Sequence, residues 1–224
     1  MIADWPCPAA GGIRHERALV FDRNRTARLL VVPPLFEEAN RTRRLLMGAM
    51  RQLDDAGIDS LLPDLPGCLE STAPFGEQDL DTWRAAMATA AAHFGATHVF
   101  SLRGGALVAP THLPRWLLEP VAGAALLRQL LRARSIAAKE AGRVENGAAL
   151  LEIGRAEGLE LAGYRCGAGL IRHLEAATVS ENSGTAIIRQ AELGGGALWL
   201  RSEPADDPAQ SAALAALLAA GIAG

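Results

Sequence analysis

Apolar positions along the chain switch repeatedly between two periods. Residues 27–35, ARLLVVPPL, form a short apolar, β-branched run stopped by two prolines, which predicts a buried strand. From Glu37 the spacing changes: Leu45, Leu46, Ala49, Met50 and Leu53 fall on one helical face, and Gly57 closes the helix. Residues 58–67, IDSLLPDLPG, predict the next strand, and 80–96 a second helix. THVFSL (97–102) and RWLLEP (115–120) read as strands three and four. From about Gly123 to Leu174 the pattern is mostly helical, and the strand pattern resumes at 184–193 and 196–200. A Pro/Asp turn then precedes a last helix. Strands alternating with helices at these intervals predict an α/β fold, a mainly parallel sheet with helices on both faces. The expected organisation is a single domain over 1–224 with a helical insertion at about 123–174. Arg128, Arg132, Arg134, Lys139 and Arg143 in that insertion have the spacing of a solvated helix face.

Composition narrows the function classes. At 224 residues, with 50% apolar and 21% charged positions, the chain has the make-up of a globular domain. A net charge of −3 gives no reason to expect a nucleic-acid partner. Cys7, Cys68 and Cys166 are widely spaced and odd in number, which argues against a disulfide framework and for a reducing cytoplasm. The N-terminal residues lack a basic segment followed by an apolar core, so no signal peptide is expected. The longest apolar stretch, 14 residues at the C-terminus, is too short to span a bilayer. That Ala/Leu-rich helix suits a homodimer contact as well as a cap on the sheet. The histidines show no metal-ligand spacing, so neither metal nor cofactor is expected.

The candidate chemistry sits at strand ends. Residues 101–105, SLRGG, follow the third strand with small residues around a central position. This is the layout of a nucleophile elbow, G-x-S-x-G, but with Arg103 where the serine would stand. Arginine carries only donors and cannot attack a carbonyl. An ordinary strand-to-helix turn with an exposed arginine fits the spacing equally well. Upstream, PPLFEEANRTRR (33–44) occupies the loop that supplies an oxyanion-hole amide in enzymes of this layout. Glu37 and Glu38 open a helix there, where acids favour the helix dipole and Glu37 can pair with Arg41. The sharper expectation is that one of the two glutamates turns inward and meets Arg103 as a bidentate ion pair. In DLPGCLEST (64–72), Asp64, Gly67, Cys68 and Ser71 share a loop. A thiol near arginines and a helix terminus there could be activated, against the plainer reading of a small buried residue. No histidine follows His173, so a triad in the order serine, acid, histidine is close to excluded.

Taken in order, these segments resemble the α/β-hydrolase-like proteins associated with the exosortase A system, called exosortase A system-associated hydrolase 2. The family's Pro-Pro-Phe-x-Glu-Glu-x-Asn-x-x-Arg-Arg motif is matched by Pro33, Pro34, Glu37, Glu38, Asn40, Arg43 and Arg44. Its Asp-x-x-Gly-Cys-x-x-Ser loop is matched by Asp64, Gly67, Cys68 and Ser71. Its Gly-Leu-Arg-x-Gly elbow is matched by Leu102, Arg103 and Gly105, with Ser101 in place of the first glycine. Weaker echoes continue into the C-terminal half. The resemblance implies an α/β-hydrolase fold, a bacterial setting of exopolysaccharide production, and an arginine elbow as a family trait. It supplies no activity, since "hydrolase" there names a fold. This chain is a shortened member: Arg115 follows Arg103 by only twelve positions, too few for a full helix after the elbow.

Two functions fit. One is a pseudoenzyme, a binding module whose ligand-facing residues are Arg103, Glu38, Asn40 and Ser101 and whose partner is an anionic small molecule or a protein. The other is a hydrolase or acyl-transfer enzyme of altered chemistry, with Glu37 or Glu38 as base, Arg103 steadying an oxyanion, and water or Cys68 as nucleophile. The missing histidine and the deletions favour the first; the polar residues kept at the strand ends favour the second.

Overall fold

The computed structural model describes all of residues 1–224. The chain opens on a hairpin, β1 (Ile2–Ala9) and β2 (Gly12–Phe21), which the sequence reading does not include. Next come β3 (Arg28–Val32), α1 (Glu37–Asp55), β4 (Asp59–Pro63), α2 (Leu80–His93), β5 (His98–Leu102) and β6 (Arg115–Leu118). The strands lie inside the predicted spans but are shorter. β3 stops before Pro33, and Pro34 follows at once, so two consecutive residues lack the N–H a ladder needs.

Seven strands form one sheet in the order β1-β2-β4-β3-β5-β6-β9, with β9 at Thr185–Ile188. The hairpin is antiparallel and pairs antiparallel with β4; every later pairing is parallel. Alternation along β3 builds two cores. Leu30 and Val32 face a cluster with Trp83 and Met87 of α2 and Leu126 and Leu127 of α3 (Gly123–Glu140). Leu29 and Val31 face Leu45, Leu46 and Met50 of α1 and Leu214 and Leu218 of the last helix. Asp59, fully buried at the start of β4, accepts hydrogen bonds from the Arg23 and Arg25 amides and the Arg25 and Arg28 guanidiniums. It ties the base of the two central strands together.

Two predicted segments differ. Residues 123–174 hold α3, α4 (Gly147–Glu157) and α5 (Ala168–Ala176), but also a small hairpin, β7 (Leu159–Leu161) and β8 (Tyr164–Cys166). Residues 184–193 give only the four-residue β9 before the short α6 (Gln190–Leu193), and the expected strand at 196–200 is a 3-10 turn, Leu198–Leu200. Gly194 and Gly195, both at positive φ, turn the chain out of the sheet, and Trp199 is buried against α1 instead of extending a ladder. The last helix, α7 (Pro208–Ala223), is capped by Asp207 with Pro208 in its first turn, and packs beside α1. No helix is long and apolar enough to cross a membrane.

Candidate functional site

The parallel strands end together, and the loops beyond them gather most of the candidate residues. β5 ends at Leu102, and Arg103 takes φ 54, a left-handed conformation that a non-glycine residue adopts at a cost. The turn is tight for a reason visible in its neighbours. A Cβ on Gly105 would lie 2.5 Å from the Pro33 carbonyl oxygen, and one on Gly104 would lie 2.7 Å from the Leu126 side chain. The loop after β3 is pressed onto the elbow, so only glycine fits behind Arg103. The chain then makes a single 3-10 turn, Arg103–Leu107, in place of a full helix.

The arginine does not face open solvent. Its Nε donates to Glu38 Oε2 and its Nη2 to Glu38 Oε1, each at 3.3 Å, a side-on bidentate pair. Nη1 reaches the Glu119 carbonyl oxygen at 3.4 Å, and the guanidinium lies 5.2 Å from the Trp199 ring centroid, a cation–π contact. Glu38 is thus the glutamate that turns inward. Burial pushes its carboxyl above the usual range, and the Arg103 charge offsets only part of that push. Glu119, itself at φ 44, spends its carboxylate on the Gln190 amide at the start of α6. Sequence reasoning misses Trp199 and Glu119. Both fall in the weaker echoes of the resemblance, outside its three main motifs, and both read there as strand residues.

Other residues fall elsewhere. Glu37 is exposed and accepts the Tyr164 hydroxyl at 3.0 Å; the anticipated pairing with Arg41 is absent, because Arg41 Nη1 donates to the Trp199 carbonyl. Ser101 is fully enclosed in β5 with no partner for its Oγ, and it lines neither of the hollows at this end of the sheet. Burial first, then the Asp64 and Glu16 carboxylates, push the Cys68 thiol up to about 12, the direction opposite to activation. Ser71 secures the loop, donating to Glu16 Oε1 at 2.9 Å while accepting the Gly67 and Ala73 amides. Asp64 is buried with Arg43 Nη1 at 3.3 Å, and burial raises its carboxyl. Within the Asp-x-x-Gly-Cys-x-x-Ser motif, Asp64 and Ser71 fasten the loop, while Gly67 and Cys68 face the cleft described below. His173 lies 3.7 Å from both Asp79 and Asp81, and His98 stacks on Trp116 at the opposite end of β5 from the elbow. No group of histidines, cysteines and acids is arranged to hold a metal ion.

Beside the elbow a cleft of 650 Å³ opens between the loops after β3 and β4 and the β7–β8 hairpin. Asn40 and Cys68 line it; Arg103 does not. A smaller hollow of 160 Å³ between α1 and α3 reaches Glu38.

No sequence-family model and no curated protein sequence matches the chain. Solved structures do. The alpha/beta hydrolase domain-containing protein 10 from mouse superposes with a TM-score of 0.51 at 10% identity, over 78% of this chain and 69% of that one. A thermophilic esterase from Thermogutta terrifontis aligns at 19% identity and TM-score 0.44, covering 59% of this chain and 52% of its own. The 2-hydroxy-6-oxo-6-phenylhexa-2,4-dienoate hydrolase from Rhodococcus sp. strain RHA1 aligns at 19% and 0.44, covering 60% and 53%. This chain spans about half the length of those two enzymes. At such identities the likeness shows the fold alone.

Proposed function

We propose that this chain, an α/β-hydrolase fold with its elbow occupied by arginine, is a non-catalytic binding protein. The carrying observation is the plug itself. At the one position where the fold exposes a nucleophile, Arg103 is held by both oxygens of Glu38 and covered by Trp199. A guanidinium cannot attack, and Glu38 turns both of its carboxylate oxygens to that guanidinium rather than to an open face where a substrate would react. The internal pairing also removes Arg103 as an anchor for an outside anion. The motif resemblance supports a bacterial role linked to exopolysaccharide production, and the unpaired cysteines favour a cytoplasmic one, with the chain acting as one domain whose insertion walls the binding cleft.

A second reading draws on Glu38. A buried carboxyl raised by its surroundings is a trait of general acids. One assay separates the two. Purified wild type and the Arg103→Ala, Glu37→Gln, Glu38→Gln and Cys68→Ala variants are given a panel of p-nitrophenyl esters and acyl-thioesters. The expected result is no turnover above buffer in any of them. Turnover in wild type that Glu38→Gln abolishes would establish the enzyme instead.

A further inference from the structure

Three rings from three separate elements meet in the 650 Å³ cleft: Phe36 before α1, Phe75 in the turn before α2, and Tyr164 on β8. Tyr164 lies 5.4 Å from Phe36 and 5.1 Å from Phe75, centroid to centroid, in tilted and edge-on geometries. The Tyr164 hydroxyl is committed to Glu37, which does not line the cleft, so this residue contributes its ring rather than its polar end.

The backbone is strained where it supplies this wall. Phe36 sits at φ 59 and Leu69 at φ 51, and Leu69, at the rim, leaves 44% of its surface exposed. Positive φ at two bulky residues is costly, and such strain collects at binding sites. The charged lining consists of one acid and one base, Glu77 and Arg165, both exposed. The Cys68 thiol, held protonated by burial, adds no charge. The exposed amide of Asn40 offers a donor and an acceptor at the α1 side.

The geometry points to a ligand site set apart from the elbow: this cleft takes an uncharged small molecule with an aromatic ring or short alkyl chain and one carbonyl or hydroxyl group for Asn40. The volume lies within the roughly 300–1,000 Å³ of small-molecule sites. An anion is disfavoured, because entering an aromatic-walled cleft with no net positive charge strips its water without replacement. The inference rests on the reading that the chain binds without turnover, and extends it to a class of ligand.

The test is isothermal titration calorimetry of the full chain at pH 7.5 with two probes that share a ring, methyl 4-nitrobenzoate and the 4-nitrobenzoate anion. The ester is expected to bind at least ~10-fold more tightly than the anion, since a carboxylate there pays uncompensated desolvation. Ala39→Trp, on the helical wall, fills the cleft and should weaken ester binding by ~10-fold or more. Asn40→Ala should weaken it by about 5-fold through the lost hydrogen bond. Both variants sit on the surface side of α1, and an unchanged melting curve confirms that they fold. Binding of neither probe, an anion bound as tightly as the ester, or affinity indifferent to Ala39→Trp would overturn the site. If bound ester were hydrolysed to 4-nitrobenzoate and Ala39→Trp still weakened binding, the cleft assignment would stand and the non-catalytic reading would fall.

Discussion

A buried arginine needs a reason, and for Arg103 the reason is Glu38. The two side chains are 15% and 7% exposed, so neither keeps a full shell of water, and each removes the other's uncompensated charge. The raised Glu38 carboxyl shows that this compensation is incomplete: burial outweighs the attraction of Arg103. Such a pair stabilises little over apolar side chains of the same size, yet breaking it is costly. Arg103→Met or Glu38→Met alone should therefore lower stability by about 3 kcal/mol, or roughly 6–12 °C in a domain this large. The Arg103→Met/Glu38→Met double variant should recover most of that loss. Thermal melts of the two single variants and the double close the cycle. Additive losses would show that the pair is not the reason for the arginine.

At the scale of elements, the sheet edge formed by β1 is guarded by its own sequence. Val20 N–H donates to Met1 O while the Met1 ammonium donates to Val20 O, and the register runs Ile2↔Leu19. Hydrogen-bonded partners in β1 are thus Met1, Ala3, Trp5, Cys7 and Ala9, and Ile2, Asp4, Pro6 and Pro8 point their backbone groups outward. Two of the four outward amides are deleted by proline, and a third position carries a charge. This protects the exposed edge from pairing with another chain. Pro6→Thr/Pro8→Thr should raise self-association with little change in melting; sedimentation velocity indistinguishable from wild type at high concentration would refute it. The hairpin also marks where sequence reasoning stops short. β3, α1, β4, α2 and β5 are legible because burial on one or both faces imposes a clean period. β1 and β2 are not, because prolines and short apolar–polar alternations look like loop until the partner strand is known. Residues 196–200 fail in the opposite sense: GALWL has strand composition, but no strand edge receives it, and Trp199 packs over Arg103 instead. A contact between Arg103 and one of the two glutamates can be anticipated from charge and loop position, but only the fold selects Glu38 over Glu37. The aromatic cleft cannot, since Phe36, Phe75 and Tyr164 are far apart in sequence and converge only through the fold.

For the whole molecule, the balance of buried acids sets how stability responds to pH. Glu16, Glu38 and Asp64 are all buried near the ends of the central strands, and in each the carboxyl is raised, with burial the leading cause. A carboxyl raised in the folded state keeps its proton after the unfolded chain has released its own. Stability is then fully present below the unfolded value, near pH 4.3 for a glutamate, and is lost as pH rises through the folded value. Paired surface acids such as Glu145 and Glu175, held low by Arg134 and Arg155, act in the opposite direction, so the wild-type curve alone does not isolate the effect. Glu16→Gln does. Its amide oxygen can still accept the Ser71 hydroxyl, but it no longer titrates, so the variant loses the destabilisation that ionised Glu16 brings at neutral pH. The melting temperature of Glu16→Gln minus that of wild type should therefore be greater at pH 7.5 than at pH 4. A difference that stays constant across that range, or shrinks as pH rises, would mean that Glu16 carries no burial penalty in the folded protein.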